Sequence, residues 1–414
     1  MKQQITIIGA GIIGLCSAYY LHKKGYDVQI IDKGDLSDNC SYGNAGMIVP
    51  SHFVPLAAPG MIGKGLRWMF NSESPFYIKP RLDKRLMRWG WLFYRHATPE
   101  HVQRSIPLLK DYNSLSKALF REIYESQDFD FSFEQRGLLM LCRTAKGAEE
   151  EQELAELAEK HGVTANWYAK EDLKTLEPNI QLDVVGGLHF PGDAHVVPQQ
   201  FMQGIKRYLK QVGVLFWDKE EVLDFEVKKG KITSIVTNKT KRPVEQLLIA
   251  GGAWSAQLLE NLKIKLPLQG GKGYSFEIEL PNSIQIPSIL SEAKVAVTPM
   301  ANKVRFAGTM EINGVNLEVN TKRVQGIQKA IAAYYPTIKP QETTRTPTWR
   351  GLRPCSPDGL PYLGKVKNFD NLTVATGHAM MGLSMGPATG LLVSELIEET
   401  TTQIDISLLQ PQRF

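Results

Sequence analysis

A chain of 414 residues is too long for one simple hydrophobic core, so two domains are expected. Its 43% hydrophobic and 22% charged residues fit a soluble globular protein, and a net charge of +5 is too modest to indicate nucleic acid. Cys16, Cys40, Cys142 and Cys355 are scattered, with no C-x-x-C pair and no metal-ligand spacing. No metal site is therefore expected, and a reduced, cytoplasmic setting is. The N-terminus runs from a lysine straight into an apolar strand, without a signal-peptide core, and no apolar run is long enough to span a membrane.

In chain order, Ile5-Thr6-Ile7-Ile8 reads as a buried parallel strand. Gly9-Ala10-Gly11-Ile12-Ile13-Gly14 follows, then a helical stretch closed by Gly25, then Val28-Gln29-Ile30-Ile31-Asp32. Gly9 permits a tight turn, Gly11 lets backbone approach a pyrophosphate, and Gly14 lets the helix pack on the strand. The helix start, with Ile12 and Ile13, offers N–H groups and a positive dipole end to phosphates. Asp32, with Lys33 beside it, lies 18 residues after Gly14, near the spacing of a ribose-hydroxyl acceptor. Strand, turn, helix, strand and acid in that order predict dinucleotide binding.

Residues 41–62 are rich in Gly, Ala, Pro and Ser and read as a loop region. The pattern predicts helix over 63–125, a strand pair over Phe131–Cys142 centred on Gly137, and surface helices at 149–160 and 170–177. A loop is expected over Gly186–Pro198, then helix over 199–211. Short strands follow at 213–217, 221–227, 231–237 and 244–250, the last three readable as a meander. Strands at 271–280, 294–298 and 303–309 precede a helix at 321–334. The section 349–398 reads as a Gly-rich loop followed by a final helix. Nucleotide-binding segments thus occur at both ends of the chain.

A flavin enzyme clamps FAD at several points, and several such points are visible. Leu247-Leu248-Ile249-Ala250-Gly251-Gly252-Ala253-Trp254 is a buried strand entering a glycine turn. Gly377-His378 and Gly382-Leu383-Ser384-Met385-Gly386 precede the last helix, where glycines would let backbone approach an isoalloxazine ring. No second G-x-G-x-x-G exists, which argues against a separate NAD(P)H domain.

These pieces resemble the D-amino-acid dehydrogenases of the FAD-dependent D-amino-acid oxidase and glycine oxidase superfamily. The resemblance is carried by Ser41 with Asn44-Ala45-Gly46, Ala57-Ala58-Pro59-Gly60 and Arg67-Trp68-Met69-Phe70. It continues in Lys272-Gly273-Tyr274-Ser275, Trp349-Arg350-Gly351-Leu352-Arg353-Pro354, Pro357-Asp358-Gly359 and Thr376-Gly377-His378. It implies an α/β fold: a discontinuous Rossmann-type FAD-binding domain interleaved with an α+β substrate domain carrying an antiparallel sheet. The expected division is 1–50, 145–260 and 350–414 for FAD, with 51–144 and 261–349 for substrate. It implies noncovalent FAD held by Gly9, Gly11, Ile12, Ile13, Gly14, Asp32, Lys33 and Ser41. Asn44, Ala45, Gly46 and Met47 would lie near the ring, and Val222 would meet the adenine. Ala250, Gly251, Gly377, His378, Gly382, Leu383, Ser384 and Met385 would complete the clamp.

The implied activity is oxidation of a D-amino acid to a 2-oxo acid through an imine, with hydride passing from Cα to flavin N5. Electrons would go to a quinone or another non-oxygen acceptor. Arg353 is the candidate for gripping the substrate carboxylate, since a guanidinium fork matches it bidentately; the alternative is a salt bridge at a surface or domain interface. Tyr274 either bonds the carboxylate or is a half-buried core residue. His52 and His378 are candidate bases or satisfied structural groups. Ser51-His52-Phe53-Val54-Pro55-Leu56 and Ala379-Met380-Met381 depart from alanine-preferring dehydrogenases, which keeps a cyclic substrate such as D-hydroxyproline open. A glycine or sarcosine oxidase using oxygen is the other alternative. Residues 79–95 carry six basic side chains against one acid, interleaved with two Trp, one Phe and one Tyr. The stretch suits either an anionic membrane surface, with a quinone acceptor there, or a helix packing its aromatics inward.

Overall fold

The structure, a computed structural model, describes residues 3–61, 63, 65, 74–339 and 346–414. Strand Gln4–Ile8 is buried from Ile5 onward. A strand apolar on both faces belongs in the middle of a parallel sheet. It lies inside a six-stranded sheet ordered Leu215–Trp217, Asp27–Ile31, Gln4–Ile8, Gln246–Ile249, Leu372–Thr376, Tyr362–Lys365. Every pairing is parallel except the last. Start, middle and end of the chain therefore build one sheet.

Helix Ile12–Lys23 is buried on all sides through Leu21, so it is a core helix rather than an amphipathic one. It packs against the final helix, Gly386–Glu398, and glycine sets the distance. A Cβ on Gly390 would lie 2.5 Å from the Cys16 carbonyl oxygen.

The second layer is a mostly antiparallel nine-stranded sheet. Its order is Trp349–Cys355, Gln269–Glu279, Lys303–Ile312, Val295–Met300, Ser288–Leu290, Leu138–Cys142, Gly186–Phe190, Asn166–Ala169. Phe76–Ile78 pairs beside the end of Lys303–Ile312. This layer corrects several expectations. Residues 186–198 contain two buried strands, Gly186–Phe190 and Ala194–Val196, rather than a loop. Gly186 is there because the Trp167 ring covers it, leaving 2.5 Å for a Cβ. Phe133–Glu134 and Leu138–Cys142 do not pair with each other; Gly137, at φ +84°, sends them into different sheets. The 63–125 region holds strand Phe76–Ile78 and helices Lys84–His96 and Pro99–Ser126. The helix expected at 170–177 is one turn, Leu173–Leu176, after strand Asn166–Ala169. The meander takes Lys241–Pro243 as its third strand, because apolar Gln246–Ile249 joins the parallel sheet. The supposed loop after 349 contains strands Trp349–Cys355, Tyr362–Lys365 and Leu372–Thr376. Strands Asn166–Ala169 and Gly186–Phe190 lie within the 145–260 stretch yet bond into the nine-stranded sheet. Arg67-Trp68-Met69-Phe70 lies outside the described residues.

Gly390→Ala should be destabilised by about 1–3 kcal/mol, since the added methyl has no space against Cys16. Gly90→Ala, in a helix with nothing within 4 Å of the new Cβ, should be neutral or gain about 0.5–1 kcal/mol. Thermal melts of the two variants check this; equal melting points would count against glycine-set packing of the two helices.

Candidate active site

The two sheets meet around a cavity of ≈ 1110 Å³. At one end is the turn after the first strand. Gly9 has φ +111°, and a Cβ there would lie 2.5 Å from the Ala250 carbonyl oxygen. Gly14 sits behind the turn, where a Cβ would lie 1.9 Å from the Gly9 oxygen. Gly11, Ile12 and Ile13 line the cavity, and the Ile12 amide donates to Ser41 Oγ at 3.0 Å. The Asp32 carboxylate accepts from the Ala10 and Gly34 amides, both at 2.7 Å. The acid therefore braces the turn while facing the cavity. Lys33 lies over the Trp254 ring at 3.9 Å, and burial lowers its pKa. Val222, Ala250 and Gly251 also line this end, with Glu220 and Glu221 beside Val222.

Asn44, Ala45 and Met47 line the middle of the cavity. Asn44 Oδ1 accepts from the Gly46 amide at 2.9 Å, and buried Arg305 donates to the Asn44 carbonyl. Gly46 itself faces away, against Val196. Gly382, Leu383 and Met385 line the cavity, whereas Ser384 turns from it to hold Val49 N and Asn113. Gly377 packs on the Tyr362 ring. His378 lines the cavity, and burial pushes its pKa down to about 3. Its Nε2 meets Thr389 Oγ1 at 3.0 Å, and that hydroxyl donates to the Met385 carbonyl. Nε2 must therefore carry the hydrogen, and Nδ1 is a buried acceptor with no partner among the described residues.

At the far end stands Arg353. Its strand pairs with Gln269–Glu279, and its guanidinium fills the space over Gly273, where a Cβ would lie 2.4 Å from Cζ. The guanidinium donates to the Thr309 carbonyl. Among the described residues no carboxylate pairs with it. Its neighbours Cys40 and Cys355 are thiols that burial pushes up to about 11 and about 12. Thr309 has φ +66°, a costly backbone state for a β-branched residue. It sits where the pairing register shifts opposite Gly273, so a bulge aims its carbonyl at the arginine. Tyr274 lines the cavity, but its hydroxyl donates to Glu311 at 2.8 Å and accepts from the Asn320 amide at 3.2 Å. His52 lines the cavity, with Nδ1 3.1 Å from Ser51 Oγ. At the mouth the Trp349 indole lies flat on two glycines. A Cβ on Gly43 or on Gly351 would come within 2.0 or 2.1 Å of the ring.

Sequence reading placed most of these residues on the cavity; Gly14, Gly46, Gly377 and Ser384 stand behind its wall. It missed the Thr309 bulge, which leaves no sequence signal. It also missed the Trp349 slot, for which Gly43 and Gly351 were the available signs.

The cavity fits a flavin dinucleotide. Its turn end is walled by backbone that no Cβ could share, and its middle carries an orphaned buried acceptor on His378. The chain belongs to the FAD dependent oxidoreductase family, whose model matches residues 4–396. It is 29% identical to a D-amino acid dehydrogenase of Helicobacter pylori (strain ATCC 700392 / 26695), over 99% of this chain and 98% of that one. A D-amino acid dehydrogenase of Granulibacter bethesdensis is 28% identical over 99% of each chain. Among solved structures, glycine oxidase from Geobacillus kaustophilus covers all of both chains at 22% identity and a TM-score of 0.79. L-proline dehydrogenase from P. horikoshii covers all of this chain and 98% of its own, at 20% identity and a TM-score of 0.75. The protein is an FAD-dependent oxidoreductase.

Asp32→Ala should weaken FAD binding. It strands two amides at the turn and removes a charged acceptor, worth about 1.5–3 kcal/mol. Flavin retained after dialysis measures the effect, and retention equal to the parent's would argue against a role for Asp32 in holding the nucleotide.

Proposed function

We propose that this enzyme oxidises the Cα–N bond of a D-amino acid, giving an imine that water converts to a 2-oxo acid, and passes electrons to a quinone or another non-oxygen acceptor. The observation that carries the reading is Arg353: a half-buried guanidinium in the cavity wall with no carboxylate partner among the described residues. A cation drawn partly out of water with no charged partner is costly, and a ligand carboxylate is the partner that offsets the cost. The D-amino acid dehydrogenases related over the full chain support the substrate class and the name dehydrogenase. When bound, FAD supplies the two-electron chemistry, taking hydride from the substrate carbon. Gly9, Gly11, Asp32 and Ser41 would hold its pyrophosphate and ribose, and Val222 its adenosine end. Asn44, Ala45, Met47, His378 and the Gly382–Met385 segment would surround the ring system. Arg353 fixes the carboxylate and thereby the direction of the Cα–H bond. Tyr274, with its hydroxyl engaged by Glu311, shapes the pocket rather than binding the carboxylate.

Anaerobic mixing with a panel of D- and L-amino acids, prolines included, should bleach the flavin band with D-enantiomers. Arg353→Lys keeps the charge but removes the planar fork. It should lose about 10- to 1,000-fold in kcat/KM, roughly 1.4–4 kcal/mol, with flavin still bound. An amine lacking the carboxylate should be nearly indifferent to the change. Equal losses for both substrates would make Arg353 structural.

The basic-aromatic stretch divides its side chains between two faces. Trp89 is buried, its indole donating to the Cys355 carbonyl at 2.9 Å. Met87, Trp91 and Tyr94 are 64%, 55% and 67% exposed, beside exposed Lys84, Arg88 and Arg95. No helix among the described residues is long and apolar enough to cross a membrane. An outward aromatic and cationic face suits an anionic bilayer surface, where a quinone acceptor would be met. Liposomes containing anionic lipid should carry the protein upward in a flotation gradient, and the double variant Trp91→Ala/Tyr94→Ala should remain at the bottom. Flotation indifferent to both lipid charge and the substitutions would remove this assignment.

A further inference from the structure

An amine loses hydride from Cα only when its nitrogen lone pair is free to form the C=N bond, yet an amino acid at neutral pH carries an ammonium. A site that holds Arg353 as a cation disfavours a second positive charge in the same cavity. Something must take the proton. Tyr274 is committed as a donor to Glu311. His378 has an Nδ1 without a partner among the described residues, but its line runs through Thr389 Oγ1 to the Met385 carbonyl and the buried Tyr112 hydroxyl, 2.7 Å from Thr389, with no carboxylate at its end among the described residues. His52 differs. Ser51 Oγ donates to Asp193 Oδ2 at 2.5 Å, and the Ser51 amide donates to Asp193 Oδ1 at 3.1 Å. While Asp193 is a carboxylate it takes the single serine hydrogen, and His52 Nδ1, 3.1 Å from the same Oγ, is then the donor in that contact. His52 Nε2 is then an unprotonated acceptor on a residue that lines the cavity.

The geometry points to a proton relay that runs from the cavity through His52 and Ser51 to Asp193 and accepts the substrate's ammonium proton before hydride leaves Cα; it rests on reading the site as amine-oxidising. The substrate N–H bond breaks and its electron pair stays on nitrogen. A new N–H forms at His52 Nε2, the Nδ1 hydrogen passes to Ser51 Oγ, and the former serine hydrogen ends on Asp193 Oδ2. His52 changes tautomer and stays neutral, while Asp193 goes from carboxylate to acid. His52 touches the substrate in this scheme; Ser51 and Asp193 act through it.

The surroundings suit both ends. Burial and the Lys294 ammonium push His52 down to about 4, so a standing imidazolium is disfavoured and the proton is handed on. Asp193 is 1% exposed, and burial pushes it up to about 7, near the working range of a general base, against the lowering effect of the two Ser51 hydrogen bonds and of Lys117. Lys294 on His52 and Lys117 on Asp193 are the charges that bear on the line among the described residues. Asp193 follows the exposed Pro191–Gly192 turn, and Lys117 Nζ donates to the Gly192 carbonyl at 2.6 Å.

Two measurements on the holoenzyme test the relay. Infrared difference spectra without substrate should show a carboxylic acid band growing as pH falls through about 7, absent from Asp193→Asn. Stopped-flow flavin reduction should be slowed about 100-fold at neutral pH in Ser51→Ala and Asp193→Asn. Both variants should converge on the parent above the substrate's own amine pKa, where no proton needs taking. Ser51→Thr, which keeps the hydroxyl, should restore the parent profile. A loss of the same size at every pH, or a parent-like profile in Ser51→Ala, would overturn the relay. If no D-amino acid bleaches the parent flavin, the substrate reading fails instead, while the infrared titration still reports on Asp193.

Discussion

The structure is organised around holding a half-buried guanidinium in the wall of the cavity. Arg353 keeps its proton, so its charge must be met by oriented dipoles. One carbonyl, from Thr309, is aimed at it, and that aim requires a positive φ at a β-branched residue. The bulge supplies the twist, and Gly273 supplies the empty volume. Arginine, threonine and glycine come from three adjacent strands of the nine-stranded sheet, so the anchor is as rigid as the sheet.

The nucleotide end uses another device. There the wall is peptide backbone, brought close because Gly9 and Gly14 lack side chains. Asp32 bonds Ala10 and Gly34 at once, coupling the first strand's turn to the second strand's end. Two sheets thus give the cavity two chemically distinct ends: amides and the Asp32 carboxylate at one, the Arg353 guanidinium at the other. The cation end is fixed, whereas much of its exposed surroundings is loop, including Leu317 and Met380 at the rim.

Local pattern is what made the nucleotide end readable. The turn, helix start and Asp32 lie within one βαβ unit, where spacing in sequence is spacing in space. The final helix and the Gln246–Ile249 strand were likewise visible, since both are mostly apolar. Errors gathered where a residue type served a partner far away. Gly186 and Gly187 looked like loop residues but yield to Trp167 and Leu141 across the sheet. Gln246–Ile249 looked like the end of a hairpin series but was claimed by the parallel sheet.

By itself the sequence marked the first turn as a dinucleotide-binding βαβ unit and pointed to a cofactor layer assembled from distant segments, while Arg353 came from the resemblance to a known family. Short-range sterics and burial govern the first two features, and both are written in neighbouring residues. Only the tertiary structure decided that Tyr274 is spent on Glu311, that Trp89 faces inward while Trp91 faces outward, and that Ser51 meets Asp193, 142 positions away. Hydrogen bonds of that range depend on how two sheets close on each other. No local pattern encodes that closure, because its energy comes from packing the whole core.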